Sequence, residues 1–154
     1  MTRAVTMVAA TPLIFALAAC GGSADDDAIG EEVVSGPRVA FASPADGAAV
    51  GGPFEVCLEV AEFTIEAAGE AQAGAGHHHI LVDPSADEVA QIMSGEPIVI
   101  AKDETHIHIG DGSACTMVEA TAGEHTVMAV VADGAHTNLN PPLTAQISVT
   151  VAAE

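Results

Sequence analysis

From Pro37 onward the chain runs in short stretches of alternating or β-branched apolar residues, separated by clusters of turn-forming residues. That pattern belongs to antiparallel sandwiches. It predicts strands over 38–42, 54–65, 77–82, 97–101, 105–109, 114–121, 124–132 and 143–152. Turns fall at Pro44-Ala45-Asp46-Gly47, Gly51-Gly52-Pro53, Gly110-Asp111-Gly112, Ala122-Gly123 and Asn140-Pro141-Pro142, where glycine, proline and Asx residues supply the tight backbone conformations. The expected fold is all-β, an immunoglobulin-like antiparallel β-sandwich of seven or eight strands. One helix interrupts it near 85–93: Ser85 stands where a cap belongs, Glu88 follows three residues later as in a capping box, and Gly95 lies just past the end. The helix reads as an insertion that crosses from one sheet to the other, with no catalytic role.

Two segments ahead of this domain follow different patterns. A single cation, Arg3, precedes an uncharged, mostly apolar run from Ala4 to Leu17, then the small residues Ala18 and Ala19, then Cys20. This is the layout of a cleaved secretory signal. The run is too short to cross a hydrocarbon core, which takes about 20 apolar residues. Leu17-Ala18-Ala19-Cys20 resembles the lipobox of bacterial lipoproteins, which implies cleavage before Cys20 and acylation of that cysteine. The expected organisation is a signal peptide over 1–19, a lipidated cysteine and flexible acidic tether over 20–36, and a β-sandwich domain over 37–154. Gly21, rather than an aspartate, follows the cysteine. The expected location is therefore the cell envelope, on the outer membrane facing the periplasm, with the lipid bilayer as a partner through acylated Cys20.

Charge changes the list of partners. The chain has 22 acidic residues, three Lys or Arg and a formal charge of −19. Cleavage before Cys20 removes Arg3 and no acid, leaving Arg38 and Lys102 and a charge of −20. Such a surface repels nucleic acid and anionic lipid and favours cations. Four Phe and no Trp or Tyr leave no stacking platform for sugars or single-stranded nucleic acid. No nucleic-acid partner is expected, and no protein partner is named by the pattern.

The cysteines point to redox rather than metal chemistry. In an oxidising compartment Cys57 and Cys115 form the default disulfide pair. Phe54, Val56, Leu58 and Val60 alternate with Glu55, Cys57 and Glu59, which turns Cys57 outward; Thr116, Val118 and Ala120 likewise leave Cys115 outward. A bridge between them is a possible disulfide if their strands are neighbours. No CxxC or CxxxH spacing and no GxSxG elbow is present, so neither thiol ligation nor a nucleophile elbow has support.

All seven histidines fall in four segments: His77-His78-His79, His106-Ile107-His108, His125 and His136. Residues two apart on a strand share a face, so His77 with His79 and His106 with His108 each present two imidazoles on one side. Two such pairs on adjacent strands can surround one ion, and imidazole suits copper, zinc, nickel and iron. Were the two pairs on opposite faces of the sandwich, a shared ion would be impossible. The candidate metal ligands are His77, His79, His106, His108, His125 and His136. Structural roles compete at three positions: His78 as a packed residue, His125 as a partner of a turn carbonyl, and His136 as a loop-ordering residue. Asp83, Asp103, Glu104, Asp111 and Asp133 lie near the histidines in sequence, either as oxygen ligands or as acceptors that fix imidazole tautomers.

These segments resemble a bacterial family of secreted and periplasmic proteins, the domain-of-unknown-function family numbered 4399, over about Val39 to Val151. The resemblance rests on Ser43-Pro44-Ala45-Asp46-Gly47 with Pro53-Phe54, on Gly74-Ala75-Gly76 with the His77–His79 run and Ile80-Leu81-Val82-Asp83, and on His106-Ile107-His108 with Gly110. It continues through Gly123-Glu124-His125-Thr126 and Ala132-Asp133 to His136 and Pro141-Pro142. It implies that the histidine positions are the site, and no activity. The HxH pairs are also similar to those that copper–zinc superoxide dismutases carry on a β-sandwich, an analogy of fold alone. The expected function is binding of a transition metal, copper or zinc, through the histidine cluster, for storage, delivery or buffering in the envelope. A metal-free interaction module with a structural histidine network and a metalloenzyme of superoxide dismutase type are the alternatives, and an enzyme is the less expected outcome.

Overall fold

The computed structural model describes residues 35–153. The expected signal peptide, Cys20 and nearly all of the expected tether lie outside the described residues. In chain order the elements are β1 (Arg38–Ser43), β2 (Ala48–Val50), β3 (Phe54–Ala61), β4 (Thr64–Ile65), β5 (Ala75–Val82), α1 (Ala86–Ser94), β6 (His106–Ile109), β7 (Cys115–Val118), β8 (Gly123–Ala132) and β9 (Asn138–Val151).

The strands form two layers. A three-stranded antiparallel sheet has the order β1-β3-β7, and a six-stranded sheet has the order β2-β9-β8-β5-β4, with β6 also paired to β5. Val56, Leu58 and Val118 from the small sheet meet Ile80, Val127, Val131 and Val149 from the large one in a shared core. Each such branched side chain contributes roughly 1.5–3 kcal/mol on burial. The sandwich expected from the sequence is present, with nine strands because β2 and β4 add to the predicted set.

Those two short strands pair in parallel, β2 with β9 and β4 with β5, so the large sheet is mixed. The single strand predicted over 54–65 breaks at Glu62, whose φ of 56° turns the chain. Thereby β3 stays in the small sheet while β4 crosses to the large one. Of the predicted strand over 97–101 only an isolated bridge, Val99 with Thr137, remains. The segment runs instead across the outer face of the large sheet, where Ile100 packs with Ile92 of α1 and with Leu81, Met128 and Val130 in a second core.

That second core makes strand β5 buried at every position. Ile80 and Val82 face the small sheet, and Leu81 faces the α1 cover. Helix α1 begins where the sequence predicts: Ser85 Oγ accepts from the Glu88 backbone N–H at 3.2 Å, and Gly95 closes the helix in the left-handed conformation. It links β5 to β6, two neighbours in one sheet, and so covers that sheet's outer face. This corrects the expectation of a crossing between sheets: the apolar stripe carrying Ile92 is matched by an apolar outer face that the sheet itself supplies.

Cys57 and Cys115 are directly opposed in the β3–β7 ladder, with Cα atoms 4.1 Å apart, and form a disulfide. Cys115 is exposed and Cys57 half-buried, on the solvent side of the small sheet. No helix among the described residues is long and apolar enough to cross a membrane.

Candidate metal centre

Four imidazoles converge on the outer face of the large sheet. His77 and His79 project from β5 on the side of Leu81. Strand β6 pairs antiparallel with β5 so that His79 stands opposite His108 and Leu81 opposite His106. The fourth ring, His136, comes from the turn after β8. Both HxH pairs therefore lie on adjacent strands and on one face, the condition for a shared ion.

The turn that delivers His136 is organised by Asp133. Its Oδ1 accepts from the backbone N–H groups of Ala135 (2.9 Å) and Thr137 (2.8 Å), and its carbonyl accepts from His136 N–H at 2.9 Å. His136 itself has φ 70°, a conformation uncommon for a residue with a side chain. Gly134 makes the turn's close approach possible: a Cβ there would lie 2.4 Å from the Glu70 carbonyl oxygen.

One nitrogen from each of His77, His79, His108 and His136 lies within 4.8 Å of all the others. His77 Nε2 is 3.0 Å from His79 Nε2 and 3.0 Å from His136 Nδ1. Centroids of the four rings are 4.7–5.7 Å apart and no pair is stacked flat. With metal–nitrogen bonds of about 2.0–2.1 Å, a tetrahedral site holds its ligand nitrogens about 3.3 Å apart. The closest pairs are near that spacing, and the most distant need draw in by no more than about 1.5 Å.

The donor chemistry fits an ion. Burial, reinforced by the neighbouring imidazoles, holds the pKa of His77 down to about 4 and that of His79 to about 3. Burial likewise lowers the pKa of His78 and of His108. The rings are thus neutral near pH 7 and carry free lone pairs, the state in which imidazole ligates metals. His77 Nδ1, His79 Nδ1 and His108 Nε2 are buried without a hydrogen-bond partner, as is Nδ1 of His78, which points with Ile80 toward the inner core. Unsatisfied buried nitrogens each cost about 1–3 kcal/mol; in His77 and His79 they are the Nδ1 atoms, while the Nε2 atoms of both rings meet in the cluster. Four imidazoles with no thiolate suit Zn²⁺ or Cu²⁺.

The other two predicted ligands stand apart. His106 is on the same face of β6 as His108 but one strand repeat further along, and its ring is held between two carboxylates, with Nδ1 2.7 Å from Asp103 Oδ1 and Nε2 2.8 Å from Glu88 Oε1. Both partners only accept, so the ring donates from both nitrogens and is cationic. Burial pulls its pKa down, but the bonds to Asp103 and Glu88 outweigh this and raise it; Asp103 in turn is lowered to about 2 by its bond to His106. The capping box is accordingly only half formed, because the Glu88 carboxylate that would return to Ser85 serves His106.

His125 is engaged in the same manner, also toward the end of the sheet away from the cluster. Its Nδ1 lies 2.7 Å from Asp83 Oδ2 and its Nε2 2.7 Å from the Thr121 carbonyl oxygen. The turn-carbonyl role is the one the structure shows. Among the carboxylates near the histidines, Asp83 and Asp103 fix imidazoles, Asp133 builds the His136 turn, and Asp111 caps Ser113. Glu88 has no histidine near it in sequence and was not legible as a partner; the capping pattern explains its position without pointing across space.

Fold and site define a β-sandwich domain with an imidazole cluster on the outer face of its large sheet. The chain belongs to the family described as Domain of unknown function (DUF4399), whose profile matches residues 56–152. The match covers β3 from Val56 through β9 and all four histidine segments; β1 and its turn, included in the resemblance read from the sequence, precede it. No curated protein matches the chain. Among solved structures, the endo-beta-1,4-mannanase from Thermotoga petrophila is similar at 18% identity and a TM-score of 0.43, over 80% of this chain and 21% of that one. The chain thus spans about a fifth of that enzyme's length.

Proposed function

We propose that this protein binds one transition metal ion, copper or zinc, through His77, His79, His108 and His136, and serves metal storage, delivery or buffering at the cell envelope. The observation that carries the reading is the convergence of one nitrogen from each of four imidazoles within 4.8 Å of one another, the two fully buried rings among them held neutral by burial. Four protein nitrogens fill a tetrahedral sphere, whereas catalytic zinc sites keep a position open. Binding therefore accounts for the donor set better than turnover does. Half-exposure of His108 and His136 beside buried His77 and His79 gives the ion a side from which it can be exchanged. A metal-free network is favoured by the two 3.0 Å ring contacts, yet those join only three of the four rings and leave His108 Nε2 buried without a partner.

In this reading the lipobox-like Leu17-Ala18-Ala19-Cys20 and the acidic segment after it tether the domain to the outer membrane, facing the periplasm. Multiple acylation of Cys20 carries the attachment alone, because no basic patch assists it. Equilibrium dialysis of the mature protein against Zn²⁺, Cu²⁺ and Ni²⁺, followed by elemental analysis, tests the site. One ion per chain with Kd below about 10 μM is expected. If none of the three binds, the reading fails. Mass spectrometry of the protein from its host tests the anchor, which is lost if Cys20 is found unmodified.

A further inference from the structure

Gly110 is the first residue after β6, the strand that carries His108. A Cβ built on Gly110 would lie 2.0 Å from His108 Cε1, 2.5 Å from Nε2 and 2.9 Å from Nδ1. The imidazole therefore lies across the bare Cα of Gly110, in space that any side chain there would fill. No backbone demand explains the glycine, because Gly110 is not among the residues with positive φ. Gly112, two residues on, differs in this respect, with φ 80°.

We propose that Gly110 is a positioning residue for the metal centre, holding the His108 ring over the strand end so that its nitrogen reaches the cluster with His77, His79 and His136. The inference rests on the metal-binding reading of those four rings. His108 is the only ring of the cluster contributed by β6, which pairs with β5 alone. His108 rotates about two side-chain bonds, so an added methyl group moves the ring and leaves the ladder in place. At Gly76 the outcome differs, because a Cβ there would lie 2.1 Å from the Ala132 carbonyl oxygen and would strain the backbone of the sheet.

The test compares wild type with Gly110→Ala, His108→Ala, the double variant, and Gly51→Ala as a control whose Cβ meets nothing within 4 Å. Ring resonances of His108 are recorded by NMR on the metal-free protein, and Zn²⁺ affinity is measured by competition with a chelating dye. Expected for Gly110→Ala are a displaced His108 resonance and affinity lower by about 10- to 100-fold. The double variant is expected to be no weaker than His108→Ala. Should Gly110→Ala unfold, removal of the ring in the double variant restores folding if the clash is the cause; an unfolded double variant overturns the proposal. An unmoved His108 resonance with wild-type affinity overturns it as well. Failure of the wild type to bind Zn²⁺ or Cu²⁺ removes the metal reading, and the His108 resonance still decides whether Gly110 places the ring.

Discussion

His79 stands directly opposite His108 in the β5–β6 ladder, and their ring centroids are 5.1 Å apart. This cross-strand pair separates the cluster from the remaining histidines. Replacing His79 or His108 by Ala is expected to weaken metal binding on the order of 100-fold, since each removes a ligand. His106→Ala and His125→Ala are expected to stay within about threefold of wild type, because their rings are committed to carboxylates and a carbonyl. Isothermal titration of the four variants checks the division.

The Asp83–His125 pair sets a pH window. His125 is raised, chiefly by its hydrogen bond to Asp83, so its contribution to stability is full below about 6.5 and is lost as pH rises through the raised folded value. Burial of Asp83 acts to raise its pKa, but the His125 and Thr126 bonds prevail and lower it; that contribution is present above about 3.9 and is lost as pH falls through the lowered value. Urea denaturation should therefore show Asp83→Asn costing about 1 kcal/mol at pH 5.5, a modest figure because the carboxylate is half exposed, and less at pH 9. Equal costs at both values would contradict the pair's charged state.

Glu88 ties helix α1 to β6 through His106. Glu88→Gln removes one of the two carboxylates that hold the imidazolium, so NMR titration should show the His106 pKa falling. Amide exchange in α1 should quicken at the same time, with a loss of roughly 0.5–1.5 kcal/mol. Metal affinity should not change, as Glu88 touches none of the four clustered rings.

The disulfide spans 58 residues of sequence. Replacing both cysteines by Ser should cost about 2–4 kcal/mol by freeing the unfolded chain. The bridge lies on the solvent side of the small sheet and the cluster on the outer side of the large one, so metal stoichiometry should stay at its wild-type value. Chemical denaturation and elemental analysis of the same preparation separate the two effects.

Alternation in β3 was readable because only one face of that strand is buried: Val56 and Leu58 point in, and Cys57 turns out toward its partner. The caps of α1 and the shared face of each HxH pair follow from local chemistry and strand geometry in the same way. Strand β5 offers no such alternation. It is buried on both faces, so apolar alternation does not mark its sides; only the two-residue period of a strand sets His78, which faces the inner core, apart from His77 and His79. Register between β5 and β6, which puts His108 rather than His106 against His79, depends on pairing between segments more than twenty residues apart. The break at Glu62 and the short parallel strands β2 and β4 also come from tertiary placement, since a glutamate carries no local preference for positive φ. Residues 97–101 have the β-branched composition of a strand but spend it packing Ile98 and Ile100 over the second core.

The disulfide joins positions 57 and 115, while the histidine cluster joins 77 to 136. Along the chain these two ties interleave rather than nest. An ion at the cluster would turn a single closed loop into two linked ones, fastened on opposite outer surfaces of the sandwich. Reduction alone or chelation alone would each leave the chain still cross-tied, and only the two together would release it to unravel from both ends.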